Sequence, residues 1–405
     1  MPNRTLLFPL HGFVDWNGGL DLARVLSTAL LHPGVATKFD IRFAFPEPSA
    51  RQRFLSSALR FWRLRLVRSG GGPDAGSPAS LQKAAREIAA GQAIIPCPAS
   101  AKGILAAASQ SGADIVFPTM FPLGTASVPR VGYLFDFQHF HMPELFPERT
   151  RRNRDARFAR LAGDADAIIV NARATANDAV AFLGMSPDRI LTIPYTPHAL
   201  PWWFDSNTEA ARTRHGVGER YLMVCNHFWK HKDHATALRA FAAIRGSLSG
   251  FEDLQLILTG DPVDHRDPRH YVHLRELCDG LGISGKVLFL GLIPKRDQLA
   301  LLRGCMALLQ PTLFEGGPGG GSVYEAIGLG IPAIASDIPV NLEIDQGNVR
   351  FFRAGDADDM ANKIAELLSE PPQRPSREAL LAAGDANLAR LGNAIADFLA
   401  QVGRR

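Results

Sequence analysis

Cysteine is scarce in this sequence, with four residues among 405. They are Cys97, Cys225, Cys278 and Cys305, and no two of them form a C-x-x-C pair. Neither a zinc site nor a disulfide framework is therefore indicated. Reduced thiols in a cytosolic protein are the simpler interpretation.

Long apolar runs are also missing. No stretch reaches the roughly 18 uninterrupted apolar residues that a transmembrane helix needs, so none is predicted. The first apolar run is broken by Pro9 and His11 and lacks the features of a signal peptide. These absences favour a cytoplasmic protein. The formal net charge of +4 is small and comes without the dense basic stripe of a nucleic-acid-binding protein, so we expect no nucleic-acid partner.

The residues that are present fit a globular α/β protein. Apolar residues make up 46% and charged residues 21% of the chain. Short β-rich runs alternate with amphipathic helical runs, which predicts mainly parallel sheets. The pattern gives six strands in each half of the chain. We therefore predict two doubly wound, Rossmann-like domains that face each other across a cleft.

The domain boundary is placed in a proline-rich segment, Pro194–Asp205, that has no periodicity. This division gives an N-terminal domain at residues 1–198 and a C-terminal domain at residues 199–385. A C-terminal helix at residues 386–405 is predicted to pack back on the first domain.

One segment is unusually basic. Residues 51–68 carry six arginines interleaved with aromatic and aliphatic residues. A basic amphipathic helix can lie on an anionic bilayer, which leaves open a peripheral location on the inner face of the cytoplasmic membrane. A surface helix packed on its own domain is the alternative.

Polar residues and glycines follow several predicted strands. Ligands of an open parallel sheet bind beyond the carboxyl ends of its strands, so these positions are the candidate site. Gly18 and Gly19 open the first helix, where the backbone can approach phosphate. Asp136, His139 and His141 lie in the string DFQHFH after a later strand. A histidine there can bind a sugar hydroxyl or assist proton transfer.

A basic segment follows the first strand of the second domain. The string NHFWKHK, residues 226–232, contains His227 and Lys232. A lysine at such a turn can neutralise a diphosphate as a point charge. A solvated basic turn is the alternative, and the density of lysine and histidine favours a binding site.

A glycine-rich loop between a strand and a helix is the strongest feature. Residues 314–326 read FEGGPGGGSVYEA, and the amides of such a loop at a helix N-terminus form an anion site. No Gly-Lys-Ser/Thr ends the loop, so it is not a Walker loop. Ser322 and Glu325 also have the spacing of a helix capping box, an alternative role for that glutamate. The candidate residues are Glu315, Gly319, Gly320, Gly321, Ser322 and Glu325.

An acidic pair, Asp164 and Asp166, has the spacing of a metal-binding D-x-D motif. It precedes a strand rather than following one, which is the wrong side of a sheet for the site. We therefore predict no metal and no cofactor, and expect lysine and helix dipoles to meet the charge of a diphosphate.

The order of these motifs resembles glycosyltransferase family 4, retaining enzymes of GT-B fold. The resemblance covers nearly the whole chain and is most specific from Tyr221 to Leu342. The strings FQH and FWKHK resemble a bacterial subset that builds surface polysaccharide. The segments that carry the resemblance are Gly18-Gly19, YLFDFQHFHMPELF at 133–146, AIIVNARATANDAVAFLG at 167–184, YLMVCNHFWKHKDHATALRAF at 221–241 and PTLFEGG…SVYEAIGLGIPAIASDIP at 311–339.

The resemblance implies that residues 1–198 form the acceptor side and residues 199–385 the donor side, and it implies roles for residues of both domains. Gly18 and Gly19 would face the donor diphosphate, and His139 would contact the donor sugar near the reacting carbon. Lys232 would grip the diphosphate. It is the second member of a basic pair whose first position, normally arginine, holds His227 here.

The resemblance also implies roles for two glutamates. Glu315 matches the first member of the family's glutamate pair, which contacts the donor sugar, and Glu325 matches the second, which binds ribose hydroxyls. The family usually has seven residues between them, whereas nine stand here. We attribute the difference to a two-residue insertion in the glycine stretch.

The sequence therefore predicts a retaining, metal-independent hexosyltransferase that uses GDP-mannose or a UDP-hexose. The acceptor would be a saccharide or lipid-linked saccharide in surface polysaccharide synthesis. His139, Glu315 and Lys232 are the predicted catalytic residues, and Asp136 and His141 line the rest of the cleft. The alternatives are a nucleotide-sugar epimerase or a phosphorylase of the same fold, and a non-catalytic nucleotide-sugar-binding protein.

Overall fold

The computed structural model describes residues 4–15, 17–35, 38–47, 78–125, 127–247 and 249–402. The basic segment 51–68 lies outside these residues, so its predicted membrane contact stays a prediction. Within the described ranges, no helix is both long and apolar enough to cross a bilayer.

The first unit is built on a seven-stranded parallel sheet with strand order β3-β2-β1-β4-β5-β6-β7. Its strands are β1 (Arg4–Pro9), β2 (Phe39–Glu47), β3 (Ile94–Pro98), β4 (Ile115–Thr119), β5 (Arg130–Tyr133), β6 (Ala167–Val170) and β7 (Ile190–Thr192). The helices that accompany it are Asn17–Leu30, Pro78–Ala89, Ala101–Ser111, Gln138–His141, Glu148–Asp164 and Arg173–Leu183.

The second unit has a six-stranded parallel sheet with order β10-β9-β8-β11-β12-β13. Its strands are β8 (Tyr221–Cys225), β9 (Gln255–Thr259), β10 (Val287–Gly291), β11 (Ala307–Gln310), β12 (Ala333–Ser336) and β13 (Val349–Phe352). Its helices are Thr208–His215, His234–Ser247, His270–Gly280, Lys295–Gly304, Gly320–Gly328 and Ala357–Ser369.

Burial explains why these runs form central strands. Every residue of β4 and β11 is buried, as is all but one residue of β8. Strands covered by helices on both faces read as continuous apolar runs, which is the pattern of parallel sheets. The strand order reverses at β1 in the first sheet and at β8 in the second. Crevices form at such switch points, beyond the carboxyl ends of the strands.

The two units touch through the glycine-rich loop. A Cβ on Gly316 would lie 2.2 Å from the carbonyl oxygen of Phe135, and a Cβ on Gly317 would lie 2.9 Å from the Cβ of Asn171. The hydroxyl of Thr175 also donates to the carbonyl of Gly316 at 3.1 Å. Residues with side chains would be pushed away here, so these glycines allow the loop of the second unit to lie against the first.

A carboxylate of the second unit caps the N-terminus of a helix in the first unit. Helix Arg173–Leu183 follows Ala172, which offers no capping side chain. The two oxygens of Glu343 accept hydrogen bonds from the amides of Arg173 and Ala174 at 2.8 and 2.7 Å. Glu343 therefore supplies, from the other unit, the acceptor that a helix N-terminus needs.

The last helix, Arg377–Gln401, packs on helix Asn17–Leu30 of the first unit. A Cβ on Gly392 would lie 2.1 Å from the carbonyl oxygen of Ala29, so glycine permits the close approach of the two helices. The helix begins at Arg377 and is one continuous element. The domain limits at residues 198 and 385 stay predictions.

Strand β3 is the element that the sequence pattern failed to predict. Ile94–Pro98 contains two prolines, which cannot donate to a sheet ladder and therefore argue against a strand. The structure places it at the edge of the first sheet, paired on one side with β2. An edge strand tolerates proline because one side of its backbone has no partner.

Candidate active site

A cleft of about 1720 Å³ separates the carboxyl ends of the two sheets. Both units contribute to its walls. The predicted site residues that line it are Gly18, Asp136, Lys232, Glu315, Gly320, Gly321 and Glu325. The predicted residues that do not appear on its surface are Gly19, His139, His141, His227, Gly319 and Ser322.

Lys232 and Glu315 form an ion pair in the wall of the second unit. Lys232 ends the short turn Lys230–Lys232, after which Asp233 takes a positive φ of 46° and starts the next helix. Its Nζ lies 2.5 Å from Oε1 of Glu315. The two side chains are 12% and 9% exposed, so the pair is mostly shielded from water. Two residues far apart in the sequence are thereby brought together at the ends of adjacent strands.

Gln310, the last residue of β11, fixes this pair in place. Its side-chain nitrogen Nε2 donates to Oε1 of Glu315 and to the carbonyl of Gly319, both at 2.9 Å. Its carbonyl oxygen accepts from Asn226 at 2.6 Å and from Ser322 at 3.3 Å. Gln310 is fully buried, so this network orients Glu315 and the glycine loop together.

The glycine loop leads into helix Gly320–Gly328. Gly319 and Gly320 have φ of 68° and 60°, a region that favours glycine. The amide of Gly319 donates to Oδ1 of Asn341 at 2.8 Å. Gly321 is exposed in the cleft, and a Cβ there would meet nothing within 4 Å. The first turn of the helix therefore opens onto free space, where its amides and dipole favour an anion.

Glu325 is not part of a capping box, so that alternative is wrong. Gly319 is the helix N-cap, and Ser322 lies inside the helix with its hydroxyl directed at Gln310. Glu325 instead forms an ion pair with Lys295 through Oε1. Its Oε2 is buried and has no hydrogen-bond partner among the described residues. This oxygen is free to accept a hydrogen bond from a ligand.

Burial changes the titration of this second pair. Burial raises the pKa of Glu325, against the effect of the nearby Lys295. Burial opposes the charge of Lys295, yet the Glu325 carboxylate raises the pKa of that lysine overall. Lys295 follows the end of β10, and the sequence analysis did not identify it as a site residue.

His227 cannot supply a second positive charge. Burial, with a smaller effect of Lys232, lowers the pKa of His227 below its ordinary value of 6.5. The lowered pKa favours the neutral ring, and its Nδ1 accepts a hydrogen bond from the amide of Asp261 at 3.0 Å. The structure makes His227 a loop-fixing residue at the base of the basic turn.

His139 lies behind the wall of the first unit, and this placement does not support its predicted contact with the donor sugar. It is 3% exposed, with its ring against Phe137, Phe140 and Phe158. Its Nδ1 accepts from Nε of Arg154 at 3.2 Å. Its Nε2 lies 3.0 Å from Oδ1 of Asp155 but without hydrogen-bond geometry, so both ring nitrogens face side chains of the first unit and only Nδ1 is hydrogen-bonded.

The remaining residues of the DFQHFH string have separate positions. Asp136 lines the cleft and forms an ion pair with Arg154, whose Nη2 lies 2.5 Å from Oδ1. His141 lies outside the cleft lining, with Nε2 2.8 Å from Oδ2 of Asp178. Of the two early glycines, Gly18 is exposed in the cleft and Gly19 is buried.

The acidic pair at the start of β6 has a structural role. Asp164 forms an ion pair with Arg130, with Nε to Oδ2 at 3.1 Å, and accepts from the amide of Leu123 at 2.8 Å. Asp166 accepts from the amide of Arg130 at 2.9 Å. These carboxylates hold the amino ends of β5 and β6 at the edge of the sheet opposite the cleft.

Four cleft residues, or residues that support them, were missed by the sequence analysis: Gln310, Lys295, Arg154 and Arg157. Gln310 is polar at the end of an apolar strand, which was a usable signal. The two arginines lie three apart in helix Glu148–Asp164, a spacing that places both on one face. Lys295 carried no signal of its own, because its pairing with Glu325 depends on the packing of two helices.

A family model agrees with the second unit of this arrangement. Residues 205–384 match the family described as glycosyl transferases group 1. The second unit is therefore similar to a group 1 glycosyltransferase domain. The matched range contains Lys232, Glu315 and Glu325 and begins just before helix Thr208–His215. No curated protein sequence matches the chain significantly.

Solved structures match nearly the whole chain, including the residues before 205. Anabaena HepE, in complex with UDP and glucose, has a TM-score of 0.61 at 16% identity, covering 98% of this chain and 100% of that one. WaaG, a glycosyltransferase of lipopolysaccharide biosynthesis, has a TM-score of 0.54 at 15% identity, covering 97% and 98%. UDP-GlcNAc 2-epimerase from Neisseria meningitidis has a TM-score of 0.50 at 10% identity, covering 99% and 100%.

These likenesses show the fold, which is the predicted GT-B arrangement of two Rossmann-like units. The group 1 domain and this fold together support glycosyl transfer. Because an epimerase shares the fold, the activity has to be argued from the site itself.

Proposed function

We propose that this protein is a retaining hexosyltransferase that binds a nucleotide diphosphate sugar in the wall of the second unit. The observation that carries the proposal is the placement of two ion pairs, Lys232 with Glu315 and Lys295 with Glu325, on either side of an open helix N-terminus. A diphosphate, a sugar and a ribose need a cation, hydroxyl acceptors and amide donors, and this wall offers all three.

The diphosphate would lie between Lys232 and the amide of Gly321. An incoming phosphate oxygen would replace Glu315 as the partner of the ammonium group. Lysine and helix N-terminus together would neutralise charge that grows on the leaving diphosphate as the glycosidic bond breaks. The chemistry asked of the protein is orientation and electrostatic stabilisation.

Glu315, once released by Lys232, would accept hydrogen bonds from hydroxyls of the donor sugar. Gln310 would keep it in position, because its amide nitrogen bonds both Glu315 and the glycine loop. The free Oε2 of Glu325 would accept a ribose hydroxyl, while Lys295 holds its other oxygen. The acceptor would attack from the first unit's side of the cleft, on the face from which the diphosphate leaves.

The donor in this proposal is GDP-mannose or a UDP-hexose, and the acceptor is a saccharide or lipid-linked saccharide of surface polysaccharide. HepE with bound UDP and WaaG from lipopolysaccharide synthesis support a sugar nucleotide and this class of product. Metal independence is part of the proposal, with Lys232 and the helix N-terminus replacing a cation. Addition of EDTA should therefore leave turnover unchanged.

The first experiment is a thermal-shift screen against GDP, UDP, ADP, dTDP and their sugar conjugates. A ligand that binds the native state raises its stability by mass action. One nucleoside diphosphate should raise the melting temperature, and Lys232→Ala and Glu325→Ala should each abolish that rise. Lys363→Ala removes a surface lysine outside the cleft and should respond like the natural protein.

The second experiment separates transfer from its alternatives. The protein is incubated with the sugar nucleotide that binds, with and without candidate saccharide acceptors, and the products are separated by chromatography. Acceptor-dependent release of nucleoside diphosphate with retained anomeric configuration supports the proposal. Conversion to another sugar nucleotide would support the epimerase, and binding without any product a non-catalytic protein.

A further inference from the structure

Three arginines surround aromatic rings where the two walls of the cleft approach each other. Arg154 and Arg157 come from helix Glu148–Asp164 of the first unit, and Arg266 comes from the second unit. All three line the cleft. We call them the arginine cluster. Arg154 and Arg266 share one ring, with guanidinium carbons 5.3 and 5.8 Å from the centroid of Phe146.

The cluster carries more positive charge than its carboxylates balance. Arg154 is paired with Asp136, at 2.5 Å, and Arg266 with Asp264, at 3.1 Å. Arg157 has no carboxylate partner among the described residues. Its guanidinium carbon instead lies 5.9 Å from the ring centroid of Phe135 and 5.6 Å from that of Phe158. Arg157 is therefore available in the cleft to bind an anion.

The aromatic rings hold this guanidinium in place without neutralising it. The guanidinium lies over the rings of Phe135 and Phe158, and its planar fork can bind phosphate or carboxylate with two parallel hydrogen bonds. Both Arg157 and Arg160, one turn further along the same helix, are exposed, but Arg160 lies outside the cleft lining and bonds its own helix backbone.

We propose that the arginine cluster, with Arg157 at its centre, is an anion subsite that binds a phosphate or carboxylate group of the acceptor. This inference rests on the proposed function and adds the substrate class: an anionic acceptor rather than a neutral saccharide. The donor anion has its own cation and helix N-terminus in the second unit. The cluster is built mainly from the opposite wall, so both anions can be bound together.

The test uses inorganic phosphate as the probe and the full chain. The donor site is first saturated with the nucleoside diphosphate that binds best. Phosphate is then titrated at constant ionic strength, and the melting temperature is followed. The natural protein and Arg160→Gln should show a saturable rise. In Arg157→Gln the apparent Kd for phosphate should be weaker by about tenfold or more, as expected for loss of a charge-assisted hydrogen-bond pair.

Two results would overturn the proposal. The first is a phosphate titration in which Arg157→Gln and the natural protein give the same curve, or in which neither shows a saturable rise. The second is loss of nucleoside diphosphate affinity in Arg157→Gln with no further phosphate binding once the donor site is full. That outcome would assign Arg157 to the donor's own diphosphate.

Failure of the proposed function remains distinguishable. If no nucleoside diphosphate binds, the phosphate titration is repeated without nucleotide. The difference in phosphate affinity between Arg157→Gln and Arg160→Gln then still tests the subsite. Arg157→Lys, which keeps the charge, serves as a folding control and should retain part of the phosphate affinity.

Discussion

The two walls of the cleft contain cations that are paired in different ways. In the second unit, Lys232 and Lys295 each face a glutamate carboxylate, so these two lysines are paired before any ligand arrives. In the first unit, Arg157 lies against aromatic rings and has no carboxylate partner among the described residues. A balanced pair must exchange partners when an anion binds, whereas an unbalanced arginine gains one.

Because of this difference, the cleft would bind its two anions by two different means. In the proposed donor site, partner exchange would release Glu315 when the diphosphate binds, so hydroxyl recognition would be linked to occupancy of that site. The arginine cluster would need no such exchange, and its selectivity would rest on charge and on the planar shape of a guanidinium group.

The largest effect is expected when the wall of the second unit loses Lys232, the cation that faces Glu315. Lys232→Ala removes the group that would meet the leaving diphosphate and leaves Glu315 buried without its ion-pair partner. We expect kcat/KM to fall by about 10²–10³-fold, the size seen for loss of one preorganised electrostatic contact. Steady-state kinetics with the preferred donor measures it, and Lys363→Ala should be unaffected. An unchanged kcat/KM in Lys232→Ala would contradict the donor-wall assignment.

The second prediction breaks the contact between the walls. Gly316→Ala places a Cβ 2.2 Å from the carbonyl oxygen of Phe135, so the loop has to move away from the first unit. Overpacking of this kind costs about 1–3 kcal/mol, which should lower transfer by roughly 10–100-fold. Nucleoside diphosphate binding should survive, because its proposed ligands lie in the second unit. Gly347→Ala, with open space around it, is the matched control.

The third prediction concerns acid stability of the second unit. Burial, with help from His270, lowers the pKa of His234 to about 3. Its ring is fully buried against Phe228, with centroids 4.6 Å apart. A folded-state pKa below the ordinary 6.5 means that the unfolded chain binds the extra proton, so stability is lost as pH falls from 6.5 toward 3.

His234→Phe should remove the part of this pH dependence that His234 contributes, while other buried histidines such as His231 keep theirs. Each such histidine contributes a slope of about 1.4 kcal/mol per pH unit to the free energy of unfolding within that window. Urea titrations at pH 7, 6 and 5 measure the slope. His273→Phe alters an exposed histidine and should keep the slope of the natural protein. Equal slopes in His234→Phe and the natural protein would show that the buried ring titrates normally.

The smallest effect is expected at the carboxylate that joins the walls. Glu343→Gln keeps one acceptor oxygen for the amides of Arg173 and Ala174, replaces the other oxygen with an NH2 group and removes the charge at the helix N-terminus. Such a charge is worth about 0.3–1 kcal/mol, so the melting temperature should drop by about 1–3 °C. Glu276→Gln, an exposed substitution on another helix, should leave the melting temperature unchanged. High salt should reduce the difference in melting temperature between the two variants.

Strand ends were the part of the site that sequence could predict. Lys232 and Glu315 each follow a buried apolar run, and parallel sheets bring such ends to one edge. Their direct ion pair was not predictable, because it depends on the neighbouring positions of β8 and β11 in the sheet. The fold followed from alternation alone, except for β3, whose prolines conceal an edge strand.

Side-chain direction was the part that sequence could not predict. His139 occupies the expected loop after β5, yet its ring turns inward because Arg154, Asp155 and three phenylalanines surround it. The spacing of Ser322 and Glu325 fits a capping box, yet the helix starts earlier, at Gly320, because Gly319 takes the N-cap position. In both cases the local string was compatible with two outcomes and tertiary contacts chose one.

The path of the chain limits how the cleft can open. The chain passes from the first unit to the second through Pro194–Asp205 and returns through the segment before Arg377, where the last helix packs on Asn17–Leu30. Two separate crossings tie the units at two points, and two fixed points define an axis. Any opening of the cleft would therefore turn about the line through these two points, and it would separate Gly316 and Glu343 from their partners in the same movement.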